Sequence, residues 1–224
     1  MPRIPRGLCN GYIYHVLNRG NAKTEVFHKV QDYAAFVSLM KEAKKRISLK
    51  ILAYCLMPNH FHLVVMPTYS ECLSRWMQWL MTSHVRRHHR HYGTSGHVWQ
   101  GRFKSFPIQQ DGHLLTVLRY IERNPVAAHL VSSLKDWPWS SLSERIGRGG
   151  PDLLDNLPIE LPNNWEEYVK RPLTEKELQE VRRSIKRQSP YGEQEWQEKT
   201  AKLLGIESTI RPVGRPRKSK KVIV

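Results

Sequence analysis

The spacing of apolar positions changes several times along the chain, and each change marks an element. Residues 11–20, GYIYHVLNRG, are rich in aromatic and β-branched side chains and close on glycine, which predicts a first strand. From Asp32 the period lengthens: Tyr33, Phe36, Val37, Met40, Ala43 and Ile47 recur at helical intervals. LKILAYCLM (49–57) predicts a second strand, Pro58-Asn59 a turn, and HFHLVVM (60–66) a third strand that pairs back as a hairpin. A second helix is expected from about Ser70 to Tyr92, with Leu73, Trp76, Met77, Leu80 and His84 on one face. A fourth strand lies within HVWQGRFKSFPIQ (97–109). The third helix covers DGHLLTVLRYIERNP (111–125) on a stripe of Leu114, Val117, Leu118 and Ile121, and Pro125 predicts an end or kink at Asn124. The order β-α-β-β-α-β-α points to an α+β fold: a ferredoxin-like antiparallel sheet with helices packed on it.

Beyond this core the pattern loosens. Residues 134–165 read as loops and a short helix, with several Pro, Gly and Trp. After Pro172 the composition turns charged. Thr174 and Glu177 form a capping box for a helix to about Arg187, SPYG breaks it, and a further helix runs from about Glu193 to Leu204 with Gly205 as its stop. The tail from Ile206 is a basic arm. The chain is thus expected to carry a helical C-terminal extension and a basic tail, with no internal repeat.

Charge adds a partner class. Among 224 residues, 36 Lys+Arg face 20 Asp+Glu, a formal net charge of +16. The positive residues are clustered, which favours a polyanion, nucleic acid above all, over a merely solvated basic face. Cys9, Cys55 and Cys72 form no CxxC pair, which argues against a disulfide framework or cysteine zinc site and fits a reducing compartment. The start, MPRIPRGLCNGYIYHV, has no apolar signal core, and no window approaches the ~20 apolar residues of a membrane span. The expected location is cytoplasmic, with no membrane partner.

The candidate chemistry begins in MPNHFHLVV (57–65). Side chains alternate on a strand, so His60 and His62 share one face while Phe61 enters the core. Two imidazoles so placed can share a metal ion, although from HxH alone a hydrogen-bonded pair at a sheet surface is slightly favoured. On the third helix, Tyr120 borders the apolar stripe and Asn124 lies one turn on. A helix packed across the sheet could bring both to the histidines, Asn124 as an oxygen ligand and Tyr120 as a nucleophile. An arbitrary tyrosine there would be an interface aromatic.

Three patterns in order, MPNHFHLVV, HVWQGRFKSFPIQ and YIERNP, resemble the HUH single-strand DNA transposases, and more closely the REP-associated tyrosine transposases. The resemblance covers roughly residues 10 to 145, and the rest more loosely. It implies an HUH-type catalytic domain over 1–145, a linker and helical extension over 146–205, and a DNA-binding tail over 206–224. It implies that His60, His62 and Asn124 hold a divalent ion, Mg²⁺ or Mn²⁺, and that Tyr120 attacks a phosphate, leaving a 5′-phosphotyrosine link and a free 3′-hydroxyl without ATP. Two imidazoles suit Mn²⁺ better than Mg²⁺, which prefers oxygen. The implied substrate is single-stranded DNA with REP-like hairpins, and the resemblance favours a monomer, with a helix-exchanging dimer as the alternative. The competing readings are a DNA-binding protein of the same fold that does not cut, and an RNA-hairpin binder; intact His60, His62, Tyr120 and Asn124 argue against both.

Three basic clusters are candidates for DNA contact: Arg86, Arg87 and Arg90 at the end of the second helix; Arg102 and Lys104 beside Trp99 and Phe103, where cations and aromatics suit unpaired bases; and the tail, whose GRPR resembles an AT-hook and offers Arg215 and Arg217 to a minor groove. Arg19, in the turn after the first strand, is a further candidate. The chain departs from the family pattern at Ala127 and His129, where an Arg and a Gly are usual, and at Val213 in the tail.

Overall fold

Four strands, Ile13–Arg19 (β1), Leu49–Met57 (β2), His60–Pro67 (β3) and Lys104–Ile108 (β4), form one antiparallel sheet in the order β2-β3-β1-β4. The structure is a computed structural model and describes residues 7–212. The strand order is that of the ferredoxin-like plan: β2 and β3 form the hairpin, and β1 lies between β3 and β4. Helices Val30–Arg46 (α1) and Ser70–Tyr92 (α2) cover one face. Gly112–Ala127 (α3) covers the other. Four further helices follow: Ser141–Arg145 (α4), Trp165–Lys170 (α5), Glu175–Arg187 (α6) and Gln194–Leu203 (α7).

Strand alternation divides the core. Tyr14, Val16, Phe61, Leu63 and Val65 meet α1 and α2, whereas Ile13, Val64, Phe106 and Ile108 meet α3. On β2 the register shifts between Ile51 and Ala53, a bulge that resets the alternation, so that Ile51 and Tyr54 face one core and Leu52 and Ala53 the other. The end of β1 is fitted against the Pro58-Asn59 turn: the Gly20 amide donates to the Asn59 carbonyl at 2.7 Å. A Cβ on Gly20 would lie 2.2 Å from the Thr24 carbonyl oxygen, so the approach requires glycine.

Two expectations need correction. Helix α1 starts at Val30, and Asp32 lies inside its first turn, where its carboxylate accepts from the amides of His28 and Lys29. Helix α3 neither ends nor breaks at Asn124. It runs through the buried Pro125 to Ala127, because the proline falls in the last turn and removes a single amide donor. The fourth strand lies within 97–109 as expected, at Lys104–Ile108, and Trp99, Arg102 and Phe103 precede it in the connecting loop.

The C-terminal extension packs on the core. Helices α5 and α6 lie against the outer side of α3, and Arg119 of α3 pairs with Glu177 of α6 at 2.5 Å while its guanidinium stands over the Tyr168 ring. Glu122, also on α3 and 1% exposed, accepts from Ser141 Oγ, Trp165 Nε1 and Arg145 Nε. Arg145 in turn donates to the Leu52 carbonyl at the β2 bulge. These bonds satisfy the buried carboxylate and fix α3 to the sheet.

Candidate active site

The β1–β3 register sets the site. It places His15 opposite Val64, Leu17 opposite His62 and Arg19 opposite His60, all on the α3 side of the sheet. His62 is 3% exposed and His60 is half-buried at the hairpin end of β3. Their ring centroids are 5.0 Å apart, edge to face. From α3, Tyr120 sets its ring edge-on to His62 with centroids 5.7 Å apart. The structure thus brings Tyr120 to His62, and His62 to His60, across the helix–sheet interface.

Asn124 stands one turn beyond Tyr120, and the two residues line a cleft of about 790 Å³ between the C-terminal half of α3 and α6, together with Arg123, Leu173, Leu178 and Arg182. No hydrogen bond joins Asn124 to either histidine among the described residues. Its Nδ2 is buried without a partner. The amide is thus not held in one sense by bonding, and a half-turn would present its oxygen instead.

Electrostatics favour neutral imidazoles. Burial pushes His15 down to about 3. Burial, then the charge of Arg19, pushes His60 down to about 4. His62 is held well below its ordinary range by burial, with His60 and His15 adding to it. Neutral rings are what metal ligation needs. Nδ1 of His60 faces Asn59 Oδ1 at 2.6 Å, and Nδ1 of His62 faces His15 Nε2 at 2.8 Å. Each ring keeps Nε2 clear of protein hydrogen bonds among the described residues. Among those residues no group of three or more His, Cys, Asp or Glu is placed to hold a metal ion. The donor set on offer is two imidazole nitrogens and one amide oxygen, which fits a divalent cation that completes its shell with water or phosphate oxygen.

Burial raises the Tyr120 phenol above its ordinary value of 10, and the positive charge of Arg182 opposes that rise. Arg182, on α6, is exposed and lines the same cleft as the phenol. Its partnership with Tyr120 was not visible in the sequence, because it depends on how the C-terminal extension docks. His15 was also missed. Its signal is its place on β1, where alternation puts it on the face of Leu17 and Arg19.

The predicted DNA-contacting residues fall in separate places. Arg19 is exposed at the end of β1, opposite His60. Arg86, Arg87 and Arg90 are exposed along the end of α2, around a shallow recess shared with His91. Arg86 and Arg102 also flank a groove on the α2 side of the sheet, beside Met77, Met81 and Val85. Lys104 is exposed, whereas Trp99 and Phe103 are only 5% and 7% exposed and pack in the core. Arg215 and Arg217 lie outside the described residues. No helix among the described residues is long and apolar enough to cross a membrane.

Comparison with known proteins gives a consistent picture. The pattern of the family described as "Transposase IS200 like" matches residues 9–124. A protein of Haemophilus influenzae assigned to the REP-associated tyrosine transposases is 29% identical over 137 residues, covering 53% of this chain and 77% of that one. A REP-associated tyrosine transposase of Escherichia coli is 23% identical over 141 residues, covering 62% of this chain and 81% of its own. Among solved structures, a REP-associated tyrosine transposase bound to a REP hairpin superposes with a TM-score of 0.55 at 18% identity, covering 78% of this chain and all of the other, a likeness of fold.

Proposed function

Because the chain belongs to the IS200-like transposase family, we propose that it is a metal-dependent single-strand DNA endonuclease and strand transferase that cuts beside REP-like hairpins through Tyr120. The observation that carries this reading is the Tyr120 ring set against His62, which puts a phenol next to paired neutral imidazoles with unclaimed Nε2 atoms.

Tyr120 Oη attacks the scissile phosphorus. A new O–P bond forms, the bond to the 3′-oxygen breaks, and that oxygen leaves as a hydroxyl. The strand is then held as a 5′-phosphotyrosine, and attack by a second 3′-hydroxyl reverses the step and joins new ends without ATP. His60, His62 and Asn124 would hold the Mg²⁺ or Mn²⁺, which would stabilise charge on the phosphate. Arg182 lines the same cleft as Tyr120, where a cation favours the phenolate. Arg19, opposite His60 on the neighbouring strand, would meet a phosphate there.

The hairpin itself would be held by the basic groups around α2, in the loop before β4 and at the start of β4, namely Arg86, Arg87, Arg90, Arg102 and Lys104, with Arg215 and Arg217 of the tail on flanking duplex. The protein is expected to act as a cytoplasmic monomer. The test is a cleavage assay on end-labelled single-stranded hairpins with Mg²⁺ or Mn²⁺, run on denaturing gels. Wild type should cut and retain label covalently, and Tyr120→Phe should bind but do neither. Tight binding by wild type without cleavage or adduct, across both metals and several hairpins, would overturn the reading in favour of a binding protein.

A further inference from the structure

Strand β1 brings a third imidazole to the face that carries His60 and His62. His15 is fully buried, its Nε2 lies 2.8 Å from Nδ1 of His62, and the two ring planes are within 13° with centroids 5.0 Å apart. Nearly parallel rings with two nitrogens this close are joined through those nitrogens rather than stacked face on face. Phe106 packs edge-on against His15 with centroids 4.8 Å apart, which fixes the ring further.

Proton counting gives this contact a direction. A neutral imidazole has one donor and one acceptor, and an N···N bond holds one proton. For His62 to offer Nε2 as a lone pair, its proton must sit on Nδ1, and Nε2 of His15 must accept it. The proton of His15 then occupies its Nδ1, a buried atom with no partner among the described residues. In the reverse arrangement His15 donates, and the His62 proton sits on Nε2, where it blocks ligation. We propose that His15 is a positioning residue for His62: it holds the ring in place and, by accepting from Nδ1, selects the form whose Nε2 can bind a divalent cation. The inference rests on the reading of His60 and His62 as metal ligands.

The experiment titrates Mn²⁺ into the metal-free full-length protein and follows loss of the free-ion electron paramagnetic resonance signal. Wild type, His15→Phe, His15→Gln and His60→Ala are compared. His15→Phe removes the acceptor and should weaken Mn²⁺ binding roughly 10–100-fold. His15→Gln supplies an amide oxygen at the level of Nε2 and should stay within about threefold of wild type, which a purely steric role would not predict. If His15→Phe binds as wild type does while His60→Ala loses binding, the role of His15 is overturned and the metal reading stands. If wild type and His60→Ala behave alike, the metal reading fails and the inference with it. Should His15→Phe not fold, ¹⁵N spectra of the wild-type imidazoles in saturating Mg²⁺ decide: a proton on Nδ1 of His62 supports the role, and a proton on Nε2 overturns it.

Discussion

Acidification from pH 7 to pH 5 should lower the thermal stability of the protein by an amount that follows from its buried histidines. His15, His60 and His84 are pushed by burial to about 3, 4 and 3. In the unfolded chain each returns to about 6.5. The folded values are depressed, so the stability is fully present above pH 6.5 and is lost as pH falls toward 4, because the unfolded chain takes up protons that the folded one refuses. At pH 5, about 1.5 units below the unfolded value, each group costs roughly 2 kcal/mol. His62 shares a hydrogen bond with His15, so it does not add an independent increment. Three groups give about 6 kcal/mol, and at roughly 2–4 °C per kcal/mol for a chain of this size the melting temperature should fall by about 12–24 °C. Far-UV circular dichroism melts in EDTA at the two pH values measure this. His84 touches neither candidate ligand, so His84→Leu should remove about a third of the drop. A melting temperature that moves by less than about 3 °C would refute the claim that these imidazoles are buried neutral.

Other outcomes follow from particular contacts. Glu122→Ala strands Arg145, whose side chain is 8% exposed, and two further donors; it should cost about 3–5 kcal/mol, read as a melting temperature lower by roughly 6–20 °C. Gly20→Ala drives a Cβ onto the Thr24 carbonyl and should cost about 1–3 kcal/mol in urea unfolding. Arg182→Ala removes the charge that opposes the burial of Tyr120, so the pH–rate profile of single-turnover cleavage should move to higher pH.

The sheet and the helices on it were legible because each carries one dominant period. Residues 60–62 alternate polar and apolar at the head of an apolar run, and Leu114, Val117, Leu118 and Ile121 recur at helical spacing, so the packing of α3 on the sheet, and with it the meeting of Tyr120 and His62, could be anticipated. What the pattern missed is polar and long-range. Arg119 and Glu122 interrupt no apolar stripe, yet both are buried, because α4, α5 and α6 close over the outer side of α3. The same docking brings Arg182 to the Tyr120 cleft. His15 is a polar residue inside a strand, and its partner is fixed only by the β1–β3 register, which the Gly20–Asn59 junction helps to set. Pro125 misled because local backbone rules do not say how many residues of helix remain after it.

If Tyr120 forms the bond to DNA, peptide mapping will find the nucleotide on it. Wild-type protein incubated with a REP-like hairpin and Mn²⁺ would be digested with nuclease and protease and analysed by mass spectrometry. A nucleotide adduct should appear on the peptide that carries Tyr120, absent in EDTA and in Tyr120→Phe. A cut hairpin with the adduct on another residue, or with no adduct under any condition, would contradict that role of Tyr120.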